Sequence, residues 1–194
     1  KNWYVEIFTN DLTKDQFFIS RLLGLKVVKI EKLKKRSLAS YTKNSSFSTA
    51  TEKFEISNFK KETSKKKILI PSSTAFGTGS HPSTFLAIRN LEKIFRKVKS
   101  KKLNFLDVGA GTGILSFVIY NLSKKKINAT DIDLESQRCF HRNAKLNSIS
   151  NYRFYRCSGL NNHYLNKKKF TLIVSNILLI QLKKLAKDFK KHLV

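Results

Sequence analysis

"LDVGAGTGILS", residues 106–116, runs from an apolar stretch that ends in an acid, through three glycines spaced two apart, into a helix-forming stretch. Glycine at 109 and 111 takes side chains away where a ligand must approach the backbone, and Gly113 lets the next helix pack closely on its strand. A dinucleotide fingerprint needs G-x-G-x-x-G, but the third glycine here comes one residue early. A triphosphate loop needs a Gly-Lys pair, which neither this stretch nor the earlier glycine cluster at 77–79 supplies. NAD and nucleoside triphosphates are therefore disfavoured. Asp131 follows Gly109 by 22 residues, at the end of the next apolar run. A carboxylate there can accept from both hydroxyls of a ribose, with bonds worth ~1.5–3 kcal/mol each. The pair specifies a nucleoside.

Outward from this turn the chain alternates strand and helix patterns. "ILIP" at 68–71 reads as a strand, and "HPSTFLAIRNLEKIFRKVK" at 81–99 has a helical apolar period, with Pro82 where a first turn tolerates it. Then come strands at "LNFLDV", "KINATDID", "YRFYRC" and "FTLIVS", and helices at "GILSFVIYNLS", "LESQRCFHRNAKLN" and "LLIQLKKLAKDFKKHL". Such alternation implies an α/β fold with a doubly wound, mostly parallel sheet and right-handed crossovers, which binds ligands at the carboxyl ends of its strands. The special residues fall at those ends: Asp107 before the glycines, Asp131 and Asp133, then Ser175 and Asn176. Before this, residues 1–64 form a small α+β unit. "NWYVEIF" and "LKVVKIEKL" read as strands around a helix, "EKFEIS" as a further short strand, and the basic "NFKKETSKKK" as a solvated linker. Residues 65–194 are the expected ligand-binding domain.

Composition bounds the remaining classes. The 39 Lys+Arg against 13 Asp+Glu give a net charge of +26, which draws a protein towards RNA, ribosomes or other anionic surfaces. A genome bias towards Lys, Asn and Ile explains the same excess if the charges are dispersed. Cys139 and Cys157 lack metal-ligand spacing, and no metal site is expected. The longest apolar window, "LIVSNILLI" at 172–180, is too short for a bilayer span, so no membrane role is expected and a cytoplasmic setting follows. The absence of methionine suggests a fragment, and the chain stops at Val194 where further strands of such a sheet are expected.

"AFGTGSHPST" (75–84), "LDVGAGTGILS", "ATDID" (129–133) and "VSNIL" (174–178), in this order, resemble the PrmA family of methyltransferases. That family modifies the ribosomal large-subunit protein L-eleven. The resemblance covers about residues 68–194 and departs at Ser83, where the family usually has a second threonine. It implies a class I (Rossmann-like) methyltransferase using S-adenosyl-L-methionine, with a ribosomal protein as substrate and its lysine or α-amino nitrogens as acceptors. The loop with Phe76, Gly77 and Thr78 would close over the methionine portion of the cofactor. Thr84 would contact the cofactor, Gly109 and Gly111 would line it, Asp107 would lie beside it, Asp131 would hold the ribose, and Asn176 would face the transferred methyl group. The N-terminal unit would recognise the protein substrate.

The chemistry agrees. Methyl transfer from a sulfonium to an amine needs positioning and desolvation more than a strong base. Asn176 and the Ser175 carbonyl can accept from an incoming amine; helix N-capping is the alternative role for Asn176. "SNIL" lacks the Pro-Pro-aromatic continuation of methylases that act on nucleobase or glutamine amino groups. His81 is expected to order its loop beside Pro82, and Asp133 to cap the following helix. Two alternatives remain: an RNA methyltransferase of the same fold, and a non-catalytic basic RNA-binding module suggested by "NYRFYRC".

Overall fold

The computed structural model describes residues 47–59, 62–71, 79, 81–97 and 103–194. All belong to the unit Ala39–Val194. The elements expected in residues 1–46 and the loop residues Phe76, Gly77 and Thr78 lie outside them.

The described strands form two sheets. β4 (Phe105–Val108), β5 (Ile127–Asp131), β6 (Tyr152–Arg156) and β7 (Leu172–Ser175) make a parallel sheet in the order β6-β5-β4-β7. The chain first steps from β4 to one side and then returns to the other. The crevice where strand order reverses therefore opens between the carboxyl ends of β4 and β7.

β4 shows why the sheet is covered on both faces. Its successive side chains alternate: Phe105 joins one apolar cluster, Leu106 and Val108 join another, and all four of its residues are buried. On the Phe105 face lie α1 (Pro82–Lys97), α2 (Ile114–Ser123) and α3 (Leu134–Leu146), contributing Ile88, Leu91, Phe117, Ile119 and Phe140. On the other face α4 (Leu179–His192) brings Leu185 and Phe189 against Leu106, Tyr155, Leu160 and Phe170. The remaining α4 face is solvated, as its Lys-rich pattern predicts.

Residues N-terminal to α1 form a separate sheet in the order β1-β2-β3, from β1 (Ser48–Ala50), β2 (Phe54–Ser57) and β3 (Lys66–Leu69). The strand expected at 68–71 thus pairs with β2 and not with the doubly wound sheet. It begins within the stretch expected to be linker, because Lys66 and Lys67 pair with Phe54 and Glu55. β1 falls in a Ser/Thr-rich stretch that carries no strand signal; antiparallel pairing with β2 makes it one. Phe54, Ile56, Ile68 and Ile70 share the core of α1 and α2, so β1–β3 pack as part of this body. Glu92 of α1, 1% exposed, ties them together by accepting from the Thr51 hydroxyl at 2.6 Å and the Lys53 amide at 2.9 Å.

No described helix is long and apolar enough to cross a membrane. Among the described residues no cluster of His, Cys, Asp or Glu could hold a metal ion.

Candidate active site

The glycine turn after β4 is held from three directions. Its start is fixed to β5, where the Thr130 carbonyl accepts from the amides of Gly109 at 2.8 Å and Ala110 at 3.0 Å. Its middle is fixed by Asp131, whose Oδ2 accepts from the Gly111 amide at 2.8 Å. Its far end is tied to α3 by Asn143, which donates to the Thr112 carbonyl at 3.0 Å. Gly109 adopts φ +72°, and a Cβ there would lie 2.2 Å from the Ile177 Cγ2. The loop after β7 therefore closes directly onto the glycine turn.

Asp107 and Asp131 end neighbouring strands but occupy different surroundings. Asp107 is 1% exposed and points into the α2 side of the sheet, where its Oδ2 accepts from the Ser116 amide at 2.9 Å and hydroxyl at 2.7 Å. Burial pushes its carboxyl up to about 6; the Ser116 bonds pull the other way, and the nearby Asp131 charge adds to the rise. Asp107 thus pins the first turn of α2 beneath the glycines. Asp131 is half-buried at the strand's mouth, with Oδ1 accepting from the Asp133 amide at 3.0 Å. Its carboxylate faces the same turn that the glycines leave open. Asp133 caps α3 as expected, accepting from the Ser136 amide at 2.8 Å, and that bond and the Ser136 hydroxyl hold its carboxyl below the usual range.

Asn176 and Thr84 stand 92 residues apart in sequence, yet the Asn176 Nδ2 donates to the Thr84 hydroxyl at 3.1 Å. Thr84 is 2% exposed at the start of α1, and Asn176 is exposed beyond the end of β7. With its Nδ2 engaged, the amide oxygen meets no donor among the described residues. N-capping does not account for Asn176, because Leu178 occupies the N-cap of α4. The Ser175 hydroxyl donates to the Val108 carbonyl at 2.8 Å and anchors this loop to β4. His81 does order its loop: its Nδ1 lies 2.8 Å from the Ser83 hydroxyl and accepts from the Ser83 amide at 3.2 Å.

The structure therefore brings Gly109, Gly111, Asp131, Thr84 and Asn176 to one end of the sheet, with Asp107 supporting them from below. Ser116, Asn143 and Ile177 complete the arrangement and were not legible in the sequence. Their roles depend on which element packs where, and no motif spacing marks them.

The parallel sheet with its reversal at β4, covered on both faces, and the acid-flanked glycine turn define a class I methyltransferase fold. A Thermus thermophilus 16S rRNA methyltransferase structure shares that fold, with a TM-score of 0.58, 16% identity and coverage of 77% of this chain and 39% of that one. The family profile "Ribosomal protein L11 methyltransferase (PrmA)" matches residues 27–194, and the chain belongs to this family. A Caulobacter ribosomal protein L11 methyltransferase is 37% identical over 126 residues, covering 64% of this chain and 43% of that protein. One from Lactobacillus helveticus is 38% identical over 126 residues, covering 65% and 38%. The crystal structure of a ribosomal protein L11 methylase from Lactobacillus delbrueckii subsp. bulgaricus aligns with a TM-score of 0.62 and 30% identity, over 74% of this chain and 72% of that one. The chain spans about two fifths of the length of the curated relatives it matches.

Proposed function

We propose that this chain carries the S-adenosyl-L-methionine site and methyl-transfer centre of a ribosomal protein L11 methyltransferase, acting in the cytoplasm on lysine ε-amino or N-terminal α-amino groups. The observation that carries this reading is the meeting of Thr84 and Asn176 beside the glycine turn. It joins the distinctive "HPST" segment to the site that the glycines and Asp131 form.

The residues present suit that cofactor. A ribose fits the Asp131 carboxylate, and the backbone bared at Gly109 and Gly111 admits the amino-acid portion. When bound, S-adenosyl-L-methionine supplies an electrophilic methyl group on a sulfonium that is itself the leaving group. Asp131 orients the sugar and, through its bond to Gly111, couples sugar binding to the shape of the turn. Asp107 and Ser116 fix that turn from beneath. Asn176, its amide held by Thr84, presents Oδ1 to accept from the incoming neutral amine and to aim the nitrogen lone pair. The Ser175 carbonyl provides a second acceptor. A lysine acceptor must lose its proton first, which a low-polarity setting favours by disfavouring the ammonium form. Phe76, Gly77 and Thr78 are assigned to the methionine portion, and protein-substrate recognition to the N-terminal part of the chain within residues 1–64.

Calorimetric titration of S-adenosyl-L-methionine into the chain tests the site. Asp131→Ala is expected to weaken binding ~10-fold or more, the loss of hydrogen bonds to a charged acceptor. Asn176→Ala should leave binding within a few-fold while lowering methylation of ribosomal protein L11. Tight binding unaffected by Asp131→Ala would refute the assignment of the ribose site. Absence of binding by a cooperatively folded chain would refute the cofactor assignment itself.

A further inference from the structure

The crossover helices have a second consequence at the opposite edge of the sheet. α2 starts at the carboxyl end of β4 and returns the chain to the start of β5, so Lys124, Lys125 and Lys126 sit at the amino-terminal edge, all exposed. α1 starts beside Asn176 and runs the same way, ending in Arg96 and Lys97. The β1–β2 turn reaches this edge too, since Arg96 bonds Glu52 at 2.9 Å. The start of β3 joins it through the Lys66 amide, which donates to the Lys53 carbonyl at 2.9 Å.

Here two basic runs, 65–67 and 124–126, become neighbours. β3 packs against α2, which sets Lys66 beside Lys124, and the neighbouring cation together with partial burial holds Lys66 below the usual lysine value. Lys124 is fixed in place: it has φ 57°, its amide donates to the Tyr120 carbonyl, and its ammonium lies over the Tyr120 ring at 5.2 Å. Two like charges held together raise the local potential, which an anion between them would relieve.

The acids of these segments leave that potential standing. Glu52 is paired with Arg96, and Glu92 is buried under the Thr51 hydroxyl and the Lys53 amide. Of the other two acids in 51–67, Glu55 is buried and accepts from the Ser48 hydroxyl, and Glu62 is exposed, while 121–127 contain none. The face is also unlike a membrane-binding one, which needs apolar side chains to insert. The consecutive exposed apolar residues Leu178, Leu179 and Ile180 belong to the opposite, carboxyl end of the sheet.

We propose that this amino-terminal edge, centred on Lys66 and Lys124, is a docking surface for the phosphate backbone of RNA. The cations come from the ends of α1, α2 and β3, a spread that suits a chain of phosphates better than one small anion. The surface lies away from the methyl-transfer site, so RNA and cofactor can be held together. It does not depend on which amine is methylated.

The test is fluorescence anisotropy of a labelled single-stranded RNA oligonucleotide with the full chain, between about 50 and 200 mM salt. Lys66→Gln with Lys124→Gln should weaken binding ~10-fold and flatten the slope of log K against log salt by about 1.4, two contacts' worth on a single strand. Lys183→Gln with Lys187→Gln removes the same charge from exposed positions on α4 and should change affinity less than about 2-fold. An unchanged thermal midpoint in both variants shows that neither acts through folding. Equal weakening by the two pairs would overturn the proposal in favour of diffuse charge. Binding to vesicles of phosphatidylserine but not to RNA would overturn it in favour of a lipid surface. RNA binding is read without S-adenosyl-L-methionine, so its outcome is independent of the methyltransferase assignment.

Discussion

Asp107→Asn tests the electrostatic setting of the glycine turn. Asp107 is fully enclosed, and burial raises its carboxyl from 3.8 to about 6 despite two bonds from Ser116. A rise of about two units corresponds to ~3 kcal/mol at 1.36 kcal/mol per unit. The direction follows from proton binding. Between pH 3.8 and about 6 the folded chain holds this proton and the unfolded chain has lost it. Asp107 therefore contributes most to stability below the lower value. Its contribution falls as pH rises through this window and levels off above about 6. Asparagine has nearly the same shape, can still accept from the Ser116 amide, and does not ionise. Urea unfolding of both proteins from about pH 4 to pH 7.5 isolates the residue, since every other titrating group is common to the two. The stability of the Asn variant relative to the parent should climb by ~2–2.5 kcal/mol between about pH 4 and pH 7.5, the rest of the ~3 kcal/mol lying below about pH 4. A difference that stays flat would mean an ordinary, hydrated carboxyl, and the dry packing of α2 against β4 would be wrong.

Two substitutions probe other supports of the site. Gly109→Ala places a Cβ 2.2 Å from Ile177 at φ +72°, so unfolding should show a loss of ~1–3 kcal/mol. Adding Ile177→Ala should recover the clash but not the backbone strain, and full recovery would contradict the positive φ. Glu92→Ala leaves the Thr51 hydroxyl and the Lys53 amide without their buried acceptor. The melting temperature should fall by the equivalent of ~1–3 kcal/mol, and no change would show that β1 and β2 are not anchored through α1.

Local chemistry made much of this protein readable from its sequence. The glycine turn, the helices beginning at Pro82 and Leu134, the Asp133 cap and the four strands of the parallel sheet all rest on interactions among residues near in sequence, or on apolar periodicity. Asp131 could be placed because a strand end fixes where an acid must fall. Other features depended on tertiary structure. "STA" at 48–50 is a strand only because β2 offers a partner, and β3 leaves the main sheet because its pairing register is set by β2. Asp107 and Asp131 look alike in sequence, but β4 is covered on both faces whereas the end of β5 is open, so one is buried and the other meets the site. Thr84 reaches Asn176, and Lys66 reaches Lys124, only after the helices cross the sheet. Propensity and spacing act over a few residues, whereas burial, register and long-range contact exist only once the sheet has closed its core.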